Sequence, residues 1–210
     1  MGNREVLLFD LGGVLLDYAG VDALHALTKE RPRGRYSLEE IRRLWPESPS
    51  LRRLECGEST LDEFAPAFIA EWGLAIDPVA FLCEFGTWTR GPYDGALDLL
   101  AALGEDFRLA CLTNMNAAYW YRIRDDMGLG RHFDRCFASH EIGLLKPDRR
   151  IYEHVVAQLE CRPEAIAFFD DTMKNVEAAR NFGFDAHHVE GLEALKETLR
   201  DLGIIKQRAG

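Results

Sequence analysis

The sequence predicts an α/β protein: a doubly wound, mostly parallel sheet with a small α-helical cap inserted after the first strand. Two patterns support this fold class. From residue 107 onward, short apolar runs alternate with helical patterns, which is typical of repeated βαβ units. Residues 17–89 instead carry helical patterns alone. A length of 210 residues suits one such domain with a sizeable insert.

The predicted strands are short and almost continuously apolar, as expected where helices cover both faces of a sheet. Four runs have this character, and a fifth candidate lies between the second and third of them. They are Val6–Leu11, Phe107–Thr113, Ala165–Phe169 and the weaker Asp185–Val189, with Arg135–Ala138 as the fifth.

The helices predicted between these strands each carry one apolar face. They are Ala96–Leu103, Ala118–Met127, Arg149–Leu159, Val176–Phe182 and Leu192–Leu202. Four of the five end directly before a glycine, a residue that commonly terminates helices.

The stretch after Leu16 contains four further predicted helices and no convincing strand. They are Val21–Thr28, Leu38–Trp45, Leu61–Trp72 and Val79–Trp88. Arg90-Gly91-Pro92 marks the return to the sheet, because Gly and Pro interrupt regular structure. We therefore predict a core domain of residues 1–16 and 90–210 and a helical cap of residues 17–89.

The chain is acidic, with 25 Lys and Arg against 35 Asp and Glu and a formal net charge of −10. Nucleic acids and anionic membranes attract clustered positive charge, so we expect neither as a partner. The five cysteines form no C-x-x-C pair, and the N-terminal residues lead into an apolar strand rather than a signal peptide. We expect a cytoplasmic monomer or homodimer with reduced cysteines.

Polar residues stand where the predicted strands end. Asp10 interrupts the first run, Thr113-Asn114 ends the second, Lys146 precedes a helix, and Asp170-Asp171 ends a later strand. Each alone is typical of a turn, a helix cap or a surface charge. Because ligands bind outside the carboxyl ends of parallel strands, together they predict one polar site.

These residues resemble the four motifs of the haloacid dehalogenase superfamily, in the same order and spacing. The motifs are Phe9-Asp10-Leu11-Gly12-Gly13-Val14-Leu15, Leu112-Thr113-Asn114, Lys146-Pro147, and Asp170-Asp171 with Asn175. The resemblance covers essentially the whole chain. It is greatest to the subgroup of bacterial α-glucose-1-phosphatases and the phosphatase-like domain of epoxide hydrolases, and it implies a Rossmann-like core.

The resemblance implies a Mg²⁺-dependent phosphatase acting on a small phosphorylated substrate, such as a sugar phosphate. Asp10 is the implied nucleophile, which forms an aspartyl-phosphate. The Asp10 carboxylate, the Gly12 backbone carbonyl and Asp171 are the implied metal ligands, because Mg²⁺ prefers oxygen.

The other motif residues are implied to hold the phosphate or its partners. The Thr113 hydroxyl, the Asn114 amide and Lys146 would bind phosphate oxygens. Asp170 would orient Lys146, and Asn175, one helical turn after Asp171, would face the same site. A further prediction makes Asn116 a substrate contact.

One position departs from the pattern. Most phosphatases of the superfamily carry a second Asp two residues after the nucleophile as general acid and base, but this chain has Gly12. Such a proton donor contributes about 10²–10⁴ in rate. The phosphatases that the sequence most resembles share the glycine, so we predict an active enzyme. It would either turn over poor leaving groups weakly or take the proton from a water molecule or the substrate. Asp17 is a possible substitute, but a turn residue is the favoured interpretation.

Outside the motifs, structural roles are the favoured interpretation. Arg31, Arg33 and Arg35 are predicted to form a solvated loop rather than a substrate contact. Trp45, Trp72 and Trp88 are predicted to form the core of the cap. His187-His188 ends a strand, where adjacent side chains point to opposite faces, so the pair is not expected to share a metal.

Two rival functions remain open. A metal-independent 2-haloacid dehalogenase also uses an Asp nucleophile and lacks the second Asp, but it has no need of the acidic pair Asp170-Asp171. A low-activity relative that binds a phosphorylated metabolite is favoured only by Gly12, while Asp10, Lys146 and Asp171 weigh against it.

Overall fold

A computed structural model describes residues 4–30 and 36–206 of the chain. This part contains seven strands: β1 (Val6–Phe9), β2 (Leu16–Tyr18), β3 (Thr89–Pro92), β4 (Arg108–Thr113), β5 (Arg135–Ala138), β6 (Ile166–Asp170) and β7 (Asp185–His188). Five of them form an entirely parallel sheet in the order β5-β4-β1-β6-β7. The predicted fold class is confirmed.

Eleven α-helices accompany these strands in the described residues. They are α1 (Gly20–Leu27), α2 (Leu38–Leu44), α3 (Pro49–Glu55), α4 (Leu61–Trp72), α5 (Pro78–Phe85), α6 (Ala96–Leu103), α7 (Ala117–Tyr121), α8 (Ser139–Ile142), α9 (Arg149–Leu159), α10 (Met173–Phe182) and α11 (Gly191–Asp201). Short 3₁₀ turns cover Thr28–Glu30, Trp45–Glu47, Gly130–His132 and Pro163–Ala165.

Three helical segments differ from the prediction. The helix expected over 118–127 is α-helical only in α7, because Arg122–Asp126 forms a π-helical turn. The sequence did not predict α3 or α8. Both are short, at seven and four residues, so neither offers enough turns for a clear apolar period.

The central strand β1 shows why the apolar runs predict a covered sheet. All four of its residues are fully buried. Leu7 and Phe9 pack into a hydrophobic cluster shared with α6, α11 and the residues between β2 and β3. Val6 and Leu8 pack on the opposite face, in a cluster shared with α9 and α10. Successive side chains of a strand point to opposite faces, so an all-apolar strand requires cover on both.

The prediction that no strand lies between Leu16 and Arg90 is wrong, because β2 forms at the start of this stretch. There β2 pairs antiparallel with β3 in a two-stranded ribbon, at both points where the predicted core and cap join. Asp17 therefore lies in a strand rather than in a turn, and its carboxylate is 3.4 Å from Arg90 Nη1 across the ribbon. A three-residue strand is too short to show a period of two. The division into core and cap stays a prediction.

The segment between β2 and β3, which contains α1 to α5, is called the helical insert below. Its aromatic side chains pack on one another, with ring centroids of Phe68 and Phe81 5.3 Å apart and of Phe85 and Trp88 5.0 Å apart. Trp72 and Trp88 are buried, and Trp45 packs against Trp88. The predicted aromatic core is therefore confirmed.

Arg31, Arg33 and Arg35 lie outside the described residues, so their predicted loop stays a prediction. Among the helices that the structure describes, none combines the length and the apolar character needed to span a membrane.

Candidate active site

Three of the predicted site residues meet at the carboxyl edge of the sheet, in ion-pair contact. Asp10 directly follows β1, Asp170 ends β6, and Lys146 comes from the loop between α8 and α9. Lys146 Nζ lies 3.0 Å from Asp10 Oδ1 and 2.6 Å from Asp170 Oδ2. The Lys146 side chain is 1% exposed and that of Asp170 0%, so water screens these charges little.

The Lys146 loop is fastened to the end of β4. Lys146 Nζ donates to the carbonyl oxygen of Leu112 at 2.9 Å. The Asn114 side chain donates to the carbonyl oxygen of Lys146 at 3.1 Å and accepts from its N–H at 2.9 Å. The Asn114 amide thus fixes the Lys146 backbone, a role that the sequence did not predict. Its predicted contact with phosphate stays a prediction.

The Asp170 carboxylate is held by three partners, as a buried charge requires. Besides Lys146, it accepts from Asn175 Nδ2 at 3.0 and 3.2 Å and from the N–H of Thr172 at 2.8 Å. The placement agrees with the predicted function of Asp170 in orienting Lys146. It also brings Asn175 to the site, as the spacing predicts.

Asp171 approaches Asp10 because Gly13 has no side chain. Gly13 has a φ of +74°, and a Cβ atom there would lie 2.3 Å from Asp171 Oδ2. Any other residue would therefore be strained and would displace the carboxylate. The backbone of Asp171 is held from β7, where His188 Nε2 lies 2.7 Å from its carbonyl oxygen.

One ammonium group faces three carboxylates in this site. Asp10, Asp170 and Asp171, which we call the carboxylate cluster, each place an oxygen within 4.8 Å of the others. Burial raises the pKa of Asp10 to about 7, and Asp170 and Asp171 add to the rise against the opposing effect of Lys146. Burial, followed by the charge of Asp170, raises the pKa of Asp171 to about 6.

Lys146 shows the opposite balance. Burial disfavours its ammonium, but the carboxylates of Asp10 and Asp170 outweigh burial and hold its pKa above the ordinary value. Lys146 is therefore charged throughout the physiological pH range.

The donor set of the carboxylate cluster fits a hard divalent cation such as Mg²⁺, which takes oxygen ligands. Asp170 already has three partners, so Asp10 and Asp171 are the carboxylates with capacity for a metal. Gly12 follows Asp10 by two residues and forms an isolated bridge with Leu16. Its carbonyl oxygen as the third metal ligand stays a prediction.

Two further predicted residues lie on the loop after β4. Thr113 is the last residue of that strand and is 1% exposed. Asn116 is also buried, and its side chain caps α7 by accepting from the N–H of Tyr119 at 3.2 Å. Asn116 thus has a structural role that sequence reasoning missed, while its contact with substrate stays a prediction.

The two histidines at the end of β7 bind different partners, as the alternation of a strand predicts. His187 Nε2 pairs with Asp185 at 2.9 Å, whereas His188 contacts the backbone of Asp171. No sequence signal marked this second role.

Glu55, the last residue of α3, is the main charged group near the site that sequence reasoning missed. It comes from the helical insert, yet its carboxyl interacts electrostatically with both Lys146 and Asp10. A helix end far along the chain carries no motif, so only the folded structure shows this proximity.

Comparisons with known proteins agree with this architecture. Sesquiterpene phosphatase astK of Aspergillus oryzae is 26% identical over 199 residues, which cover 94% of this chain and 96% of that protein. Bifunctional epoxide hydrolase 2 of Sus scrofa is 26% identical over 216 residues, covering 94% of this chain and 38% of that protein.

A similar solved structure is a haloacid dehalogenase family enzyme of Bacteroides thetaiotaomicron, crystallised with magnesium and inorganic phosphate. It has a TM-score of 0.69 and 20% identity, and the match covers 89% of this chain and 94% of that one. Residues 5–183 match the haloacid dehalogenase-like hydrolase family as a whole. The chain therefore belongs to the haloacid dehalogenase-like hydrolases, as its four motifs predicted.

Proposed function

We propose that the protein is a Mg²⁺-dependent phosphatase that hydrolyses a small phosphorylated metabolite through an aspartyl-phosphate. The observation that carries this proposal is the unbalanced charge of the carboxylate cluster. Lys146 neutralises one of three carboxylates, of which Asp10 and Asp170 are buried and Asp171 is half-buried, and the pKa values of Asp10 and Asp171 rise to about 7 and about 6. A cation bound by these two carboxylates would restore the balance.

Asp10, the Gly12 carbonyl and Asp171 would hold the metal. When bound, Mg²⁺ supplies positive charge that lets an anionic nucleophile approach an anionic phosphate. Without a cation, Asp10 is partly protonated near neutral pH, and a protonated carboxyl is a poor nucleophile.

The residues of the chain divide the remaining tasks. The Asp10 carboxylate attacks phosphorus, and Lys146, fixed by Asp170 and Leu112, offers a permanent positive charge to phosphate oxygens. Thr113 and Asn114 stand at the adjacent strand end, where a hydroxyl and a backbone N–H would complete the phosphate contacts. Asp170 and Asn175 act by holding Lys146 in place.

Two similar proteins support the phosphatase chemistry. The similarity to a sesquiterpene phosphatase extends over 94% of the chain. The Bacteroides enzyme of similar fold was crystallised with both magnesium and inorganic phosphate. A metal-independent dehalogenase would have no use for Asp171, which Gly13 and His188 hold beside Asp10.

The test is a panel of phosphorylated metabolites, with sugar phosphates first, scored for released phosphate in Mg²⁺ and in EDTA. We expect release in Mg²⁺, none in EDTA, and none from the Asp10→Asn variant, whose fold is checked by circular dichroism. Halide release from 2-haloacids that persists in EDTA would instead identify a dehalogenase. Tight binding of a metabolite without phosphate release would identify a binding protein.

A further inference from the structure

Hydrolysis of a phosphate ester with a poor leaving group needs a proton donor at the leaving oxygen. Gly12 cannot provide one. The backbone of Gly12 does not require glycine, and a Cβ atom built there meets Tyr18 Cβ at 3.8 Å, an ordinary contact. There is space for a side chain at this position, but the chain places its acid elsewhere.

The end of α3 is fastened to the strand ends that form the site. The carbonyl oxygen of Glu55 accepts from Ser139 Oγ at 2.6 Å, and the same hydroxyl accepts from the N–H of Met115 at 2.9 Å. Ser139 is fully buried, and Met115 lies two residues after Thr113. Glu55 is thus tied to the loop that is expected to bind phosphate.

A glycine secures the same junction. Gly57 has a φ of +73°, and a Cβ atom there would lie 2.6 Å from the carbonyl oxygen of His140. The chain leaving α3 therefore passes directly against α8. This close approach holds the end of α3, and with it the Glu55 backbone, next to α8 at the carboxyl edge of the sheet.

The surroundings of Glu55 favour its protonated form at neutral pH. Burial raises the pKa of Glu55 to about 8; Asp10 adds to this rise, and Lys146 and Arg52 oppose it. Tyr18 and Cys56 also face this carboxyl, and each of their pKa values is raised in part by its charge. Glu55 is half-buried, so part of the residue remains open to solvent.

We propose that Glu55 is the general acid and base of the reaction, supplied by the helical insert in place of the missing second Asp. The inference rests on the proposed phosphatase function. As the Asp10 oxygen bonds to phosphorus and the ester P–O bond breaks, the Glu55 carboxyl proton moves to the leaving oxygen, which departs as an alcohol. The Glu55 carboxylate then takes one proton from the water that attacks the aspartyl-phosphate, which releases hydrogen phosphate and restores Asp10 and Glu55.

A cavity of about 680 Å³ borders the elements that carry Glu55 and Lys146. Arg52 and Cys56 of the Glu55 segment line it, together with Leu145 and Pro147, which flank Lys146. Neither Glu55 nor Lys146 itself lines this cavity, so it adjoins the segments that carry the two residues rather than forming the phosphate site.

The test compares two aryl esters that differ by one nitro group, phenyl phosphate and p-nitrophenyl phosphate, in single-turnover release of the phenol with Mg²⁺ present. Nitrophenolate leaves without a proton, whereas phenolate is a poorer leaving group. We expect Glu55→Gln to slow phenol release by about 10²-fold or more and nitrophenol release by less than about tenfold. Glu84→Gln, which changes an exposed carboxyl on α5 of the same insert away from the cavity, is the matched control and should change neither rate.

Two further measurements separate proton donation from a structural role. Adding Gly12→Asp to Glu55→Gln should restore phenol release, because it supplies a carboxyl at the usual position. In the wild type, phenol release should fall with rising pH as Glu55 loses its proton, and Glu55→Gln should remove this fall.

Equal slowing of both esters, or no slowing, overturns the inference alone. A wild-type protein that releases neither phenol in Mg²⁺ overturns the proposed phosphatase function and this inference with it.

Discussion

The carboxyl edge of the sheet and the helical insert are held together by different forces. At the sheet edge, buried charges dominate, with Lys146 Nζ within 3.0 Å of carboxylates from both β1 and β6. In the insert, aromatic rings dominate, with Phe68, Phe81 and Phe85 packed around Trp88. The charged site carries the chemistry, and the aromatic insert provides a stable platform from which Glu55 reaches it.

The difference shows where each region is sensitive. A buried charge is stable only while its partners remain, so the site depends on pH, on bound cations and on single residues. An aromatic core loses free energy in proportion to the volume removed and responds little to pH. The following predictions test this contrast, beginning with the largest expected effect.

Lys146→Met should lower the free energy of unfolding by about 3–5 kcal/mol, because it leaves Asp10 and Asp170 buried without their cation. The loss should be largest near pH 7.5 and shrink toward pH 5, where Asp10 takes up a proton. Urea unfolding in EDTA at both pH values measures it. A loss independent of pH would show that Lys146 stabilises the fold by packing alone.

Phe81→Ala should lower the free energy of unfolding by about 3 kcal/mol, through the cavity left in the insert. This value lies toward the lower end for such a truncation because neighbouring rings can relax into the space. The loss should be the same at pH 5 and pH 7.5 in the same urea experiment. A strong pH dependence would contradict the proposed contrast between the two regions.

In EDTA, the wild-type protein should lose stability as the pH rises from about 4 to about 7. An unfolded Asp has a pKa near 3.9, whereas Asp10 and Asp171 titrate at about 7 and about 6 in the folded protein. Between these pKa values the folded state binds more protons than the unfolded state. The free energy of unfolding therefore decreases as the pH rises.

Thermal unfolding across this pH range should show the melting temperature falling by several degrees. Asp10→Asn should flatten the profile, and Mg²⁺ should reverse its slope by binding the ionised carboxylates. A wild-type melting temperature that rises steadily through this range in EDTA would refute the raised pKa values.

Lys174→Met should have the smallest effect, less than about 1 kcal/mol. Lys174 of α10 pairs with Glu47 of the insert at 2.9 Å, but both side chains are about 60% exposed. Water and salt screen such a pair, unlike the pair of Lys146 with Asp170. If urea unfolding showed Lys174→Met to lower the free energy of unfolding as much as Lys146→Met does, buried and surface ion pairs would not differ in strength as proposed.

The sheet and the motif residues could be predicted because each depends on a local pattern. The apolar runs identify the strands, and Asp10, Thr113 and Asp170 stand at strand ends, so the parallel sheet brings them to one edge. The meeting of Asp10, Lys146 and Asp170 at this edge could therefore be predicted from the sequence.

Other features depend on long-range contacts and leave no local signal. The β2–β3 ribbon joins residues more than 70 positions apart through strands of three and four residues. The charges of Lys146 and Asp10 act on Glu55 only after α3 has packed on α8, and His188 supports Asp171 from a neighbouring strand. Neither the proximity of Glu55 to the site nor the contact of His188 with Asp171 follows from residue type or spacing.

The central claim is that Asp10 accepts the phosphoryl group. The most direct measurement mixes the protein with Mg²⁺ and p-nitrophenyl phosphate, quenches in acid within one turnover, and locates the phosphoryl group by peptide mass spectrometry. We expect it on the peptide that contains Asp10 in the wild type, and no phosphorylated peptide in Asp10→Asn or in EDTA. Phosphate release by the wild type without any phosphorylated Asp10, or release by Asp10→Asn at the wild-type rate, would contradict the proposal.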